Sequence, residues 1–185
     1  MIKDILKDAE SRMNSAVEAL RDDLKRIRTG RATPALVEGI EVEYYGMPTK
    51  MNQLATISIP EPRQIMIRPF DAGTVDNVVK AIQKSDLGIT PNSDGKVIRL
   101  NLPALTEERR RELVKLVHKR VEDGRIAVRN VRRDCKKDME DFEKEKLISE
   151  DDLKRGEEKL QEVTDKYTEK LKEVGDEKEV EIMEV

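Results

Sequence analysis

The sequence predicts an α+β protein: an elongated bundle of three long helices carrying a small inserted β/α/β domain. Three observations predict it. Charged residues make up 41% of the 185 residues and aromatic residues 3%, with no Trp, a balance that suits long amphipathic helices around an aliphatic core better than a sandwich or barrel. Apolar residues recur at steps of three and four over both ends of the chain. Between those ends, all seven prolines fall within residues 31–103, where the apolar period shortens to that of strands.

The first helix is read from Ile2, Ile5, Leu6, Ala9, Met13, Val17, Leu20, Leu24 and Ile27. Thr29-Gly30 is expected to end it, because glycine readily takes the left-handed conformation that terminates helices. In the middle segment, Ile40, Val42 and Tyr44 alternate with polar or exposed neighbours up to Gly46, giving a half-buried strand. Residues 55–59 and 65–67 read as two more strands, separated by a turn at Pro60-Glu61-Pro62. Val75, Val78, Val79 and Ile82 mark a short helix. Ser93-Asp94-Gly95 then turns the chain into a last strand holding Val97, Ile98, Leu100 and Leu102.

Helical order returns at Thr106, a capping residue followed by Glu107 and Glu108, whose charges complement the helix dipole. From there the helix runs close to forty residues, about 60 Å at 1.5 Å per residue, with Leu113, Val117, Val121, Val128, Val131, Cys135, Met139 and Phe142 as its apolar stripe. Ile126 falls off this stripe. Ser149, with Glu150, Asp151 and Asp152 behind it, starts a third helix carrying Leu153, Leu160, Val163, Tyr167, Leu171 and Val174. The connection between the last two helices is short, so they are antiparallel neighbours. The predicted domains are therefore residues 1–30 with 104–185, the bundle, and residues 31–103, the insert. Two crossings, near Gly30-Arg31 and Pro103-Ala104, are expected to act as a hinge.

Most catalytic chemistry is excluded. The single histidine, His118, follows a core position and reads as a surface residue. With one His and one Cys, no His/Cys metal site can be built. Cys135 continues the apolar stripe and reads as a packed core thiol, with no partner for a disulfide. The loop from Gly88 to Lys96 resembles a phosphate loop only superficially: its glycines are too far apart, and Val97 stands where a hydroxyl would bind Mg²⁺. No segment approaches the ~20 apolar residues that span a bilayer, and the N-terminus lacks a signal-peptide core. The expectation is a cytoplasmic protein.

What remains is surface recognition. Arg125, Arg129, Arg132 and Lys136 are spaced by four, three and four residues, which keeps them within roughly 60° of one another and spreads them over about 17 Å of helix. Planar guanidinium forks match phosphate oxygens. This stripe lies about 100° from the apolar one, beside the buried seam, where the stems can pack on a neighbouring helix while the charged heads stay in water. Although the net charge is −3, screening acts over about 8 Å, so the local patch decides what binds. If all four cations meet phosphates, log affinity should fall with log salt at a slope of around −3 to −4. Without aromatic side chains on the stripe, backbone and shape recognition of folded RNA is favoured over base stacking. Arg28, in the cluster Lys25-Arg26-Ile27-Arg28-Thr29-Gly30-Arg31, and Arg133 are added to the RNA-binding set on geometry.

Six strings, Arg28-Thr29-Gly30-Arg31-Ala32, Val42-Glu43-Tyr44-Tyr45-Gly46, Ser85-Asp86-Leu87-Gly88, Leu105-Thr106-Glu107-Glu108-Arg109-Arg110, Val128-Arg129-Asn130-Val131-Arg132-Arg133 and Ile148-Ser149-Glu150-Asp151-Asp152, follow in that order. In this the chain resembles the bacterial ribosome recycling factors over essentially its whole length, departing at Thr49-Lys50, where Thr-Pro is usual. The resemblance implies a two-domain, L-shaped molecule with a tRNA-like outline and no enzymatic activity, acting as a monomer without cofactor or metal. It implies binding to the large ribosomal subunit and its rRNA after termination. Elongation factor G with GTP would then drive the second domain and split the subunits, releasing mRNA and tRNA. Arg129 and Arg132 match arginines the family uses on ribosomal RNA; Gly30, Arg31, Pro103 and Thr106 match its hinge region, to which Ala104 is added as the neighbour of Pro103. Two other classes compete: an adaptor whose exposed helix faces bind proteins, and an enzyme centred on Tyr44, Tyr45 and the loop around Asn92, for which no catalytic base is at hand.

Overall fold

The computed structural model describes residues 1–184, and its chain forms two compact units: Met1–Arg28 with Glu107–Glu184, and Thr29–Thr106. The first is three helices, α1 (Ile2–Lys25), α5 (Glu107–Lys144) and α6 (Glu150–Glu184), packed pairwise. The predicted periodicities account for their buried faces. Ala9, Met13, Val17, Leu20 and Leu24 of α1 meet Leu113, Val117, Val121, Val128, Val131, Cys135 and Met139 of α5, and Leu160, Tyr167, Leu171, Val174 and Ile182 of α6.

Ion pairs and hydrogen bonds across the grooves fix the directions. Arg12 meets Asp134 at 3.0 Å and Arg120 meets Asp23 at 3.1 Å, so α1 and α5 are antiparallel. Lys136 meets Glu157 at 3.1 Å and His118 meets Glu179 at 2.9 Å, so α5 and α6 are antiparallel too. The five-residue connection is closed by a capping box: the Asp152 amide donates to Ser149 Oγ, and the Ser149 amide and hydroxyl donate to Asp152 Oδ2. These donors hold the Asp152 carboxyl below its usual range, with Arg155 adding to the effect.

The gap in the α5 stripe between Val121 and Val128 is filled by Gly124. It is one of three glycines in the long helices whose missing side chains admit a neighbour: Leu171 packs over Gly124, Val121 over Gly175, and Met139 with Ile2 over Gly156. Ile126, off the stripe, is 46% exposed on the outer face of α5.

The second unit holds two antiparallel sheets. A hairpin pairs β1 (Glu41–Tyr44) with β2 (Met47–Lys50), and a four-stranded sheet has the order β3-β4-β6-β5, with β3 Ala55–Glu61, β4 Gln64–Pro69, β5 Pro91–Ser93 and β6 Ile98–Asn101. Helix α4 (Val75–Lys84) supplies Val78 and Ile82 to a core shared with Val42, Met51, Ile65, Ile67, Ile98 and Leu100. Two single-turn helices, α2 (Ala35–Glu38) and α3 (Met51–Leu54), flank the hairpin.

Several local expectations are corrected. Helix α1 ends at Lys25, before Thr29-Gly30; Gly30 takes a φ of +77° in the connection that follows, close to Leu105 and the Pro103 carbonyl. Strand β3 runs on through Pro60 to Glu61, and the turn is Pro62-Arg63; the pairing register shifts between Ser58 and Glu61, where a bulge accommodates a residue with no amide hydrogen. β2 and β5 carry too few apolar residues to show a strand period, and they form because the turns before β2 and after β5 return the chain onto a neighbour. At the first turn Tyr45 and Gly46 both have positive φ, 48° and 78°, the twist-matched hairpin geometry. At the second, Asp94 accepts the amides of Lys96 and Val97 and pairs with Arg99.

Candidate nucleic-acid interface

The regular backbone of α5 places the predicted cations along one side of the bundle, next to α6. Arg125 lines a groove of about 460 Å³ with His118, Val121 and Glu122 of α5 and Lys172, Gly175 and Asp176 of α6. Arg129, Arg132 and Arg133 are exposed, while Arg125 and Lys136 are half-buried. The stripe therefore flanks the α5–α6 seam, as helical geometry requires of residues about 100° from the core-facing line.

The cations differ sharply in what already occupies them. Glu122 holds two: its Oε1 accepts from Arg129 Nη2 at 2.6 Å, and its Oε2 lies 3.5 Å from Arg125 Nη1. Lys136 stands between Glu157 at 3.1 Å and Glu140 at 3.7 Å. Arg133 Nε is 4.0 Å from Asp134. Among the described residues, Arg132 makes no ion pair or hydrogen bond, and its guanidinium is the one member of the stripe with all five donors available. Arg28 is exposed just beyond α1, also without a partner among the described residues.

Other basic residues of the bundle serve its structure. Arg110 donates to the Met183 carbonyl at 2.8 Å, satisfying an orphan acceptor at the end of α6. Arg12 and Arg120 tie α1 to α5. Sequence reasoning missed Glu122 as part of the site. Its signal was present: three and seven residues before Arg125 and Arg129, it lies one and two turns away on nearly the same line.

Of the hinge candidates, Arg31, Pro103, Ala104 and Thr106 are exposed, and Thr106 stands at the N-cap position of α5. Gly30 is half-buried, and a Cβ there would lie 3.4 Å from Leu105 Cγ. Nothing in the insert gathers catalytic groups. The Tyr44-Tyr45 surface borders a groove with Asp71 and Asn77, whose amide is committed to the Glu43 carbonyl at 3.1 Å. Among the described residues no His, Cys, Asp or Glu group could hold a metal, and no helix is long and apolar enough to cross a membrane. Cys135 is buried, and burial pushes its thiol pKa up, away from thiolate chemistry.

The sequence profile of the family described as ribosome recycling factor matches residues 20–183. Proteins named ribosome-recycling factor from Roseiflexus castenholzii and Chloroflexus aurantiacus are 56% and 55% identical to the chain, and one from Halalkalibacterium halodurans is 52% identical, each over the full length of both partners. A solution structure of ribosome recycling factor is 48% identical with a TM-score of 0.72, covering 100% of this chain and 98% of the other. A second likeness, with a TM-score of 0.62, 39% identity and 98% coverage of both chains, is to a chain from models for the T. thermophilus ribosome recycling factor and the E. coli elongation factor G bound to the E. coli post-termination complex.

Proposed function

The chain belongs to the ribosome recycling factor family of non-enzymatic translation factors, and we propose that it binds the post-termination ribosome and, with elongation factor G and GTP, splits it into subunits. Messenger and transfer RNA leave as the subunits part. The protein acts in the cytoplasm. In this reading the α5 ridge anchors the bundle to ribosomal RNA of the large subunit through Arg129 and Arg132, with Arg28, Arg125 and Arg133 extending the contact. The insert takes up the push of the translocase about the connections at Gly30-Arg31 and at Pro103-Ala104 with Thr106.

The observation that carries the RNA contact is Arg132, an exposed guanidinium on a rigid helix with no protein partner among the described residues. A fork so presented is suited to bidentate phosphate binding. The hinge reading is supported by the division of the chain into two compact units at residues 28–29 and 106–107.

Sedimentation of purified post-termination complexes tests the proposal. Incubation with this protein, elongation factor G and GTP should convert them to free subunits, and omission of any one component should not. Failure to split despite salt-sensitive binding to the large subunit would retain the ridge and reject the splitting activity.

A further inference from the structure

The RNA-binding reading leaves one feature of the ridge unused. A single carboxylate, Glu122, engages both Arg125 and Arg129, at 3.5 and 2.6 Å, one oxygen to each. It sits on the outer face of α5: its side chain is 49% exposed, that of Arg129 is 64% and that of Arg125 is 39%. Ion pairs this exposed are weak and exchangeable. They do not hold the helix in place, since the seam behind them is closed by Val121, Gly175 and Leu171. Yet Glu122 presents to the two guanidiniums the ligand that a phosphate would present, a pair of anionic oxygens. Among the described residues Arg132, one turn along the helix, has no such occupant.

We propose that Glu122 is an internal competitor of the RNA phosphate: the backbone contacts Arg132 freely but must displace Glu122 from Arg129 and Arg125 to complete the contact. The inference rests on the RNA-binding reading of the ridge and adds the residue that sets its strength. An incoming phosphate gives up part of its gain in breaking the resident pair, and afterwards it faces the released carboxylate as a like charge. Both effects lower affinity. For a factor that must leave the ribosome after each round, they hasten release, because changes within one interface act mostly on the off-rate.

Binding of the full-length protein to purified large subunits across a salt series tests this, with Glu122→Gln, Arg129→Ala, Arg132→Ala and the double variant Glu122→Gln/Arg129→Ala. Helicity is checked in each. Gln keeps the length and polarity of Glu and removes only the charge. E122Q should bind about threefold to tenfold more tightly near 0.1 M salt, with a slower off-rate and a log–log salt slope steeper by up to about one unit. In the R129A background most of that gain should vanish, since the competitor acts chiefly through Arg129. If R129A weakens binding while E122Q leaves it unchanged or weakens it, Glu122 is no competitor and the ridge stands without it. If neither R129A nor R132A changes binding, the RNA-binding reading itself falls, and the inference with it.

Discussion

Gly175 of α6 lies directly beneath Val121 of α5: a Cβ at position 175 would come within 2.6 Å of Val121 Cγ2. The relationship is reciprocal one turn away, where Leu171 of α6 packs over Gly124 of α5 and a Cβ there would lie 3.0 Å from Leu171 Cδ2. Each helix supplies one knob and one gap. The two backbones approach closely along the stretch that carries Glu122 and Arg125, so the ridge is built on a rigid seam.

Gly175→Ala should therefore destabilise the bundle. Alanine brings up to ~1 kcal/mol of helix propensity, but Val121 is β-branched, buried and held to one rotamer in a helix, so it cannot step aside. The clash should outweigh the gain by about 1–3 kcal/mol. Gly156→Ala is the control. There the nearest atom is the thioether sulfur of Met139, at 3.0 Å on a flexible side chain, and the net change should lie within about 1 kcal/mol of zero. Urea unfolding followed by circular dichroism separates the two; equal losses would reject the knob-and-gap account.

Arg132→Ala should cost about 1–3 kcal/mol in affinity for the large subunit, the range for a charge-assisted contact, and leave unfolding unaffected, because Arg132 has no intramolecular partner among the described residues. Arg12→Ala, which breaks the bond to Asp134 at 3.0 Å, should do the opposite: a small loss of stability with affinity unchanged. Equilibrium binding and thermal unfolding of both variants, measured side by side, decide the matter.

The turn between β5 and β6 gives a pH dependence with a definite sign. Asp94 accepts the amides of Val97 and Lys96 and pairs with Arg99, which together hold its carboxyl at about 2, below the ordinary 3.8. A carboxyl whose folded pKa is lowered contributes stability above its unfolded pKa and loses it as pH falls through the folded one. The difference in stability between the native chain and Asp94→Asn should therefore be constant above pH about 5 and close between about 4 and 2. A difference independent of pH would assign the effect to the turn's shape.

Much of the fold could be read from spacing. Steps of three and four place Met13, Val121 and Leu171 on buried faces wherever the helices settle, and Ser149 with Asp152 marks a helix start by chemistry local to four residues. The spacing of Arg125, Arg129 and Arg132 likewise puts them on one side of α5 by helical geometry alone. Other features could not be read that way. β2 and β5 carry almost no periodic signal, and a strand of three or four residues exists only because another lies alongside. Thr29-Gly30 has the chemistry of a helix stop, yet α1 already ends at Lys25, because beyond Leu24 no apolar side chain is fully buried until Ala32.

The sequence by itself thus determined the helices, their buried faces and the row of cations, since each depends on a repeat that a helix converts directly into position. Tertiary structure decided the contacts that cross between helices. Lys136 has Glu140 on its own helix but gains Glu157, at 3.1 Å, only where α6 arrives, and whether a glycine is a gap or a break depends on which side chain enters it. Interactions local in sequence carry their own geometry. Those between distant residues acquire it only when packing sets the separation.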